Sequence, residues 1–233
     1  MFAIRYASAT ASWLTYLALV AVPILAAIAL GWAGRGSRRY LAALVIPLFL
    51  LTWRDKNSLA GEAAGAILSA LSCVALGVLL GAVTPAKWLK FGIVAMSVAD
   101  VWLVGSDLLQ HPNSVLVEAA PGGGLPQLQS ETFGSVNMGY GDMFVAGLLG
   151  AAYARNRRLQ WTASALTLVL AGLFDLLFFV INELPATVPV ALALLVVEIG
   201  LAVGAKQRRR RTEQPADAHP APAPEPGRSP APG

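Results

Sequence analysis

Four aspartates lie within long apolar stretches of this chain and are the residues best able to do chemistry there: Asp100, Asp107, Asp142 and Asp175. A carboxylate in the hydrocarbon of a bilayer costs at least about 2.5–3.5 kcal/mol, so such a residue usually has a function. Two carboxylates that meet in a medium of low dielectric constant cannot easily both ionise, and they share one proton. A pair of this kind can activate water by acid–base catalysis.

Asp142 has the most informative neighbours of the four. It follows Gly139 and Gly141 in the segment GYGD, at the head of an apolar stretch. Glycine allows another backbone to approach closely and allows the chain to bend or unwind. The pattern therefore predicts a carboxylate that water and an extended substrate can both reach.

Asp100 is the predicted partner of Asp142. It lies in the apolar stretch that precedes Asp142, within the segment SVADVWLV, and two neighbouring antiparallel helices could bring these carboxylates together. Asp107 lies nearer the end of the same stretch and is expected to be wetted and structural. Asp175 is expected to be a structural polar link between helices, although pairing with a catalytic aspartate or with Asn182 stays open.

The elements that position these residues are predicted to be transmembrane helices. Hydrophobic residues make up 56% of the chain, charged residues only 13%, and the mean hydropathy is +0.62, whereas soluble domains carry about 25% charged residues. A helix needs about 20 largely apolar residues to cross roughly 30 Å of hydrocarbon. Stretches of this kind lie at 11–33, 60–83, 88–109, 132–154, 160–181 and 186–204, with a shorter one at 40–53 that contains Pro47. The predicted fold is therefore an all-α bundle of about seven transmembrane helices.

The distribution of Lys and Arg predicts the orientation of this bundle. One set of connections carries most of them: Arg35, Arg38 and Arg39; Lys87 and Lys90; Arg155, Arg157 and Arg158; Lys206 and Arg208–Arg211. The opposite set carries only Arg5, Arg54 and Lys56. The first set is therefore predicted to be cytoplasmic, which places the N-terminus and the loop 110–131 outside and the C-terminus inside.

Residues 1–205 form the predicted transmembrane domain, with an N-terminal three-helix part at 11–94 and a catalytic half at 95–204. Residues 206–233 are first basic and then rich in Pro and Ala, so we expect a disordered cytoplasmic tail. Arg208–Arg211 are interpreted as an anchor on anionic lipid rather than as a nucleic-acid site. The bias towards Ala, Arg, Gly and Pro favours a bacterial source and hence the plasma membrane.

No metal site and no cofactor are predicted. The single cysteine, Cys73, lies within an apolar stretch, which excludes an internal disulfide and a cysteine-based metal site. The two histidines, His111 and His219, are far apart in sequence. The expected partners are therefore the lipid bilayer and a substrate, with no nucleic acid.

Four segments together resemble the presenilin and signal peptide peptidase family of intramembrane aspartyl proteases. The segment DVWLV at 100–104 resembles the family's first aspartate helix, and GYGD at 139–142 matches its GxGD motif. Between them, VLVEAA at 115–120 is similar to the segment that follows the first aspartate helix. LPATVP at 184–189 resembles the Pro-Ala-Leu motif that heads the family's last helix. The segments occur in the family's order, and the resemblance covers about 95–204.

This resemblance implies a hydrolase that cleaves transmembrane segments. Asp100 and Asp142 would share a proton and position water against the scissile amide. The residues implied in shaping the site and binding the unwound substrate are Gly139, Tyr140, Gly141, Leu184, Pro185 and Ala186. The predicted orientation of the bundle would favour transmembrane substrates of type II.

Three features depart from the family pattern. Ala99 stands where a tyrosine usually precedes the first aspartate, and Thr187 stands where the Pro-Ala-Leu motif has leucine. Only three helices are predicted ahead of the catalytic half, where the family generally has five. The two substitutions bear on rate and substrate preference, and the short N-terminal half bears on substrate docking.

Two other functions are compatible with the same residues. Prepilin peptidases also carry GxGD, and the segment MGYGDMFVAGLLGA looks much like their second-aspartate segment, but their Pro-Asp motif and CxxC pairs do not occur here. Intramembrane carboxylates also serve proton relays, so a proton-coupled transporter or another non-enzymatic membrane protein is the second alternative. The chain shows no internal repeat of the kind found in transporters built from two related halves.

Overall fold

The computed structural model describes residues 2–55, 58–106, 125–126, 128, 130–133, 136–177 and 185–213. Its helices are α1 (Phe2–Ile28, continued by a π-helical turn, Ala29–Ala33), a 3₁₀ helix (Arg39–Leu44), α2 (Val45–Arg54), α3 (Leu59–Val83), α4 (Ala86–Gly105), α5 (Tyr140–Ala152), α6 (Arg157–Leu177) and α7 (Val188–Glu213). Two strands, β1 (Ser130–Phe133) and β2 (Val136–Gly139), pair antiparallel immediately before α5.

The chain divides by its contacts into two compact units, 1–197 and 198–233. The first unit contains all the residues of the site described below. The second contains the basic end of α7, which the structure describes as far as Glu213. The predicted disordered tail beyond that residue lies outside the described part of the chain.

Five helical segments are long and apolar enough to cross a membrane: Trp13–Ala33, Leu59–Val83, Ala86–Gly105, Arg157–Leu176 and Val188–Arg210. Large apolar side chains such as Val83, Trp102 and Leu168 are exposed along them. Soluble monomers rarely expose contiguous apolar surface of this extent, because water would be ordered against it. The chain is therefore a helical, multi-pass membrane protein, as its composition predicts.

Two of the seven predicted spans are shorter than expected. The hairpin occupies the start of the predicted stretch 132–154, so α5 begins only at Tyr140 and has 13 residues. A helix of that length rises about 20 Å, which is less than the thickness of the hydrocarbon core. The stretch 40–53 consists of 3₁₀ turns followed by α2, which has 10 residues. Pro47 lies in the first turn of α2, where the missing N–H of proline costs little.

The helix ends that carry basic residues meet at one end of the first unit. The Arg35 guanidinium donates to the carbonyl of Ala154, and the Lys90 ammonium lies 4.8 Å from the ring centre of Tyr153. These contacts join three of the connections that the charge distribution predicts to be cytoplasmic. Elsewhere, Thr52 Oγ1 lies 3.4 Å from the carbonyl oxygen of Gly61 and ties α2 to α3.

The helix that carries Asp142, α5, packs against α3 through glycines. A Cβ atom on Gly77 would lie 2.6 Å from the carbonyl oxygen of Gly147, and a Cβ atom on Gly147 would lie 2.7 Å from the carbonyl oxygen of Cys73. Neither position accepts a side chain unless a backbone moves. Small residues of this kind let membrane helices approach closely, and van der Waals packing then holds the pair.

Two apolar clusters hold α5 from opposite directions. One cluster joins α4, α5, α6 and α7 around Ile93, Val145 and Leu194. The other joins α1, α2 and α3, and Tyr140 at the start of α5 packs against it. The first turn of α5 therefore packs with one cluster through Tyr140, and its later turns pack with the other cluster.

Candidate active site

Asp142 lies in the first turn of α5, where strand β2 gives way to helix. Its Oδ2 accepts a hydrogen bond from the backbone N–H of Gly139 at 3.2 Å, and the residue is half-buried. A carboxylate at this position satisfies a backbone N–H that the helix leaves free and interacts favourably with the helix dipole. The junction between strand and helix therefore positions the carboxylate.

Asp100 reaches the same place from α4. It is half-buried near the C-terminal end of that helix, and α4 packs against α5. The charge of its carboxyl group interacts with the charge of Asp142. The two aspartates that the sequence pattern selects therefore lie on helices that pack together.

Thr187 ties Asp100 to the segment that leads into α7. Its Oγ1 donates to Oδ2 of Asp100 at 2.6 Å, and its carbonyl oxygen accepts a hydrogen bond from Ser97 Oγ at 2.8 Å. Thr187 is buried, and Ser97 and Asp100 are about one turn apart on one face of α4. The Pro-Ala segment is therefore fastened to α4 at two adjacent points.

Thr187 and Ser97 are functional candidates that the sequence analysis did not select. The motif comparison identifies Thr187 only as a departure from leucine. Ser97 carried a weak signal, because a hydroxyl three residues before an intramembrane aspartate shares its helical face. Neither residue indicates by itself which distant segment it would contact.

The residues just before Thr187 are partly accessible at the surface. Pro185 is half-buried and Ala186 is exposed. Leu184, the third residue implied in substrate binding on this segment, lies outside the described residues. A role for Pro185 and Ala186 in substrate binding stays a prediction.

Tyr140 directs its hydroxyl towards α3. The phenol oxygen lies 2.7 Å from Ser72 Oγ, and the Cys73 sulfur lies 3.9 Å from the Tyr140 carbonyl oxygen. Ser72 itself donates to the carbonyl of Ser69 at 2.7 Å. Because the Ser72 hydroxyl has one proton, Tyr140 must be the donor in the pair that it forms with Ser72. The side chain thus anchors α5 to α3, and the predicted contact with substrate remains untested.

The two glycines of the GYGD segment have different surroundings. A Cβ atom on Gly139 would lie 3.3 Å from Asp142 Oδ2, which is tighter than ordinary van der Waals contact. A Cβ atom on Gly141 would meet nothing within 4 Å, and this residue is exposed. Gly139 therefore leaves room for the carboxylate itself, whereas Gly141 leaves open space beside it.

A groove of about 590 Å³ runs between α4 and α7, next to the Asp100–Thr187 pair. Ser97 belongs to its wall, and the rest is mostly apolar, with Val98 and Val101 from α4 and Val188 and Ala191 from α7. The groove therefore presents a mostly apolar surface next to Ser97.

The remaining acidic candidates take no part in this cluster. Asp175 is exposed near the C-terminal end of α6. Asp107 and Asn182 lie outside the described residues. Among the residues that the structure describes, no group of three His, Cys, Asp or Glu side chains could hold a metal ion.

The fold and the site define a class, a multi-pass helical membrane protein in which two helices present interacting aspartates. No protein-family model, no curated protein and no solved structure matches this chain. The chemistry of the site therefore has to be argued from its own residues.

Proposed function

We propose that this protein is an intramembrane aspartyl protease that hydrolyses peptide bonds within transmembrane segments. The observation that supports this proposal best is that Asp100 and Asp142 lie half-buried on two packed helices, near enough for their charges to interact. Gly139 in the GYGD segment donates to Asp142, and Thr187, which follows Pro185 and Ala186, donates to Asp100, so each segment contributes a hydrogen bond to one carboxylate.

The proposed reaction uses one protonated and one ionised aspartate. The ionised carboxylate removes a proton from water as the water oxygen forms a bond with the carbonyl carbon, and the protonated carboxyl group donates its proton to the carbonyl oxygen. The tetrahedral intermediate then collapses as the C–N bond breaks. The departing nitrogen receives the proton taken from water, and a hydroxyl group of the intermediate returns its proton to the carboxylate that had acted as the acid, so the dyad again holds one proton.

The substrate is proposed to bind as an extended strand next to β2. A peptide bond inside a helix is shielded by its neighbours, so a transmembrane substrate must unwind before water can reach it. Strand β2 leads directly into Gly139, and its one strand neighbour within the described residues is β1. An extended peptide can add to such a strand through backbone hydrogen bonds. The open space at Gly141 would leave room for its backbone beside Asp142.

The orientation proposed for the bundle follows from its charges. With the basic connections in the cytoplasm, the N-terminus is outside and the C-terminus inside the cell. This arrangement would favour substrates of type II, and the bacterial composition would place the enzyme in the plasma membrane.

The test is cleavage of a transmembrane peptide by purified protein in lipid vesicles. The wild-type protein should cut within the apolar part of the peptide, as mass spectrometry would show, and a transition-state inhibitor of aspartyl proteases should prevent the cut. Asp100→Asn and Asp142→Asn keep the shape of the side chain and should each lower the rate by about 100-fold or more. Asp175→Asn is the matched control, because Asp175 is exposed on another helix, and should cleave normally.

The same variants separate the protease from the alternatives. Cleavage by Asp100→Asn or Asp142→Asn at a rate close to that of the wild-type protein would contradict the proposed dyad. Absence of any cleavage by folded wild-type protein, together with proton-driven transport that either substitution abolishes, would instead identify a carrier.

A further inference from the structure

Thr187 lies just before the start of α7, but its side chain forms a hydrogen bond with Asp100 on another helix. Its carbonyl oxygen accepts the backbone N–H of Ala191 at 3.2 Å, so Thr187 begins the hydrogen bonding of α7. A threonine at this position commonly turns its side chain back to cap its own helix. Here the hydroxyl instead donates to Oδ2 of Asp100 at 2.6 Å.

The neighbouring hydroxyl cannot replace this contact. Ser97 Oγ donates its single proton to the Thr187 carbonyl oxygen at 2.8 Å. The Ser97 bond therefore fixes the backbone of Thr187, and the Thr187 hydroxyl alone supplies a hydroxyl proton to Asp100 within the described contacts. Since Thr187 is 5% exposed, its hydroxyl is shielded from water.

The two carboxylates of the dyad are stabilised unequally. Asp100 accepts an O–H donor at 2.6 Å, a distance typical of a strong bond to a charged oxygen. Asp142 accepts a backbone N–H at 3.2 Å, at the long end of the range for such bonds. A negative charge is therefore better accommodated on Asp100 than on Asp142.

We propose that Thr187 is a positioning residue that holds the negative charge of the dyad on Asp100 and leaves the shared proton on Asp142. This inference rests on the proposed protease function. Asp100 is then the general base that takes the proton from water as the O–C bond forms, and Asp142 is the acid that protonates the carbonyl oxygen. When the C–N bond breaks, the proton on Asp100 passes to the nitrogen and the hydroxyl proton of the intermediate returns to Asp142.

Among the described residues of α4, α5 and the first half of α7, other charged groups do not account for the asymmetry. On α5, which packs against α4, the titratable side chains are Asp142 itself and Tyr140, whose hydroxyl bonds Ser72. Residues 188–197 of α7 carry no titratable side chain. Lys87 and Lys90 lie on α4 at the end opposite Asp100.

The experiment is the pH dependence of kcat/KM for a transmembrane peptide in lipid vesicles. The active dyad holds one proton, so the wild-type profile should be bell-shaped, and its acidic limb should follow Asp100. Thr187→Val keeps the volume of the side chain and removes the donor. The acidic limb should then move to higher pH by about one unit, which is a loss of about tenfold in rate on that limb.

Two further variants separate the hydrogen bond from packing. Thr187→Ser keeps the hydroxyl and should retain the wild-type acidic limb. Thr167→Val is the matched control, because Thr167 on α6 is half-buried and donates to the carbonyl of Ala163 at 2.9 Å, away from the dyad. An unmoved acidic limb in Thr187→Val, or a limb that moves equally in Thr187→Ser, would overturn the inference.

A second measurement needs no substrate. Infrared titration of the protonated carboxyl band, with isotope-labelled aspartate, follows the same groups, and Thr187→Val should raise the pH at which the first aspartate loses its proton. If wild-type protein fails to cleave while this titration moves, the protease function fails and the role of Thr187 stands. If cleavage occurs and neither measurement moves, the protease function stands and the role of Thr187 fails.

Discussion

At the scale of single residues, the site depends on the space around the carboxylates as much as on the carboxylates themselves. Gly139 adopts φ −71° and ψ 147°, a conformation that any residue can take. The backbone conformation at this position therefore does not require glycine. The nearest atom to a Cβ at that position is Asp142 Oδ2, at 3.3 Å. The requirement for glycine comes from the Asp142 carboxylate oxygen.

Gly139→Ala should consequently lower activity without unfolding the protein. The new methyl group would press on Asp142 Oδ2 and shift the carboxylate by a few tenths of an ångström, and misplacements of this kind at a reacting group cost about 10- to 100-fold in rate. Peptide cleavage and thermal unfolding measured together would check this. Gly172→Ala is the control, because a Cβ there meets nothing within 4 Å. Equal rates in the two variants would contradict the argument.

The hydrogen bond from the Tyr140 hydroxyl to Ser72 joins α5 to α3, so its loss should lower the stability of the protein. Tyr140→Phe should lower the free energy of unfolding by about 1 kcal/mol, the usual value of one hydrogen bond. Ser72→Ala should cost a similar amount, and the double variant should cost less than the sum of the two. Equilibrium unfolding in mixed detergent would measure this coupling. Strict additivity would show that the pair contributes nothing.

The residue types and spacing at the dyad made much of the candidate site predictable. Asp100 and Asp142 could be selected because a carboxylate in an apolar stretch is costly to place in the membrane and usually has a function. The hydrogen bond from Thr187 could not be predicted, since 87 residues separate it from Asp100 and the contact depends on how α7 meets α4. The same holds for Ser72 and Tyr140, whose pairing depends on the crossing of α3 and α5.

At the scale of elements, the length of apolar segments predicted the five helices that can span a membrane. It did not predict the start of α5, because average hydropathy cannot distinguish a short apolar strand from the first turns of a helix. The hairpin ahead of α5 is therefore absent from the predicted all-α fold. It is also the feature that places an extended backbone next to Asp142.

The crossing of α3 and α5 allows a graded prediction about elements. Gly77→Ala places a Cβ 2.6 Å from a backbone oxygen, whereas Gly81→Ala places one 3.4 Å from the Ala151 side chain and Gly92→Ala meets nothing within 4 Å. Gly77→Ala should cost about 1–3 kcal/mol of unfolding free energy, as overpacking does, and should lower cleavage because α5 carries Asp142. Gly81→Ala should cost less. Gly92→Ala should be neutral or slightly stabilising, since alanine favours helix.

Unfolding free energies and cleavage rates of these three variants would check the prediction in one series. The order of destabilisation should follow the order of the distances. A protein that accepts alanine at Gly77 as easily as at Gly92 would show that α3 and α5 are not held by this close approach.

At the scale of the whole molecule, the two short segments bear on how the chain crosses the bilayer. The 3₁₀ helix and α2 together rise roughly 27 Å, close to the thickness of the hydrocarbon core. They can therefore return the chain across the membrane between α1 and α3. The contact of Arg35 with Ala154, and of Lys90 with Tyr153, agrees with a common side for the basic connections.

This arrangement makes a prediction about labelling of single cysteines in intact cells. The native Cys73 is buried and should react little, so any labelling above that of the wild-type protein comes from the new cysteine. Asp55→Cys, just before α3, should react with a membrane-impermeant maleimide added outside, because the predicted orientation places the start of α3 outside the cell. Ala86→Cys, at the start of α4, should react only after the cells are opened. If both positions react only in opened cells, α3 does not cross the bilayer between them, which would contradict the span predicted for that helix. If Ala86→Cys reacts in intact cells, the positive side of the bundle faces outward, and the preference for type II substrates reverses with it.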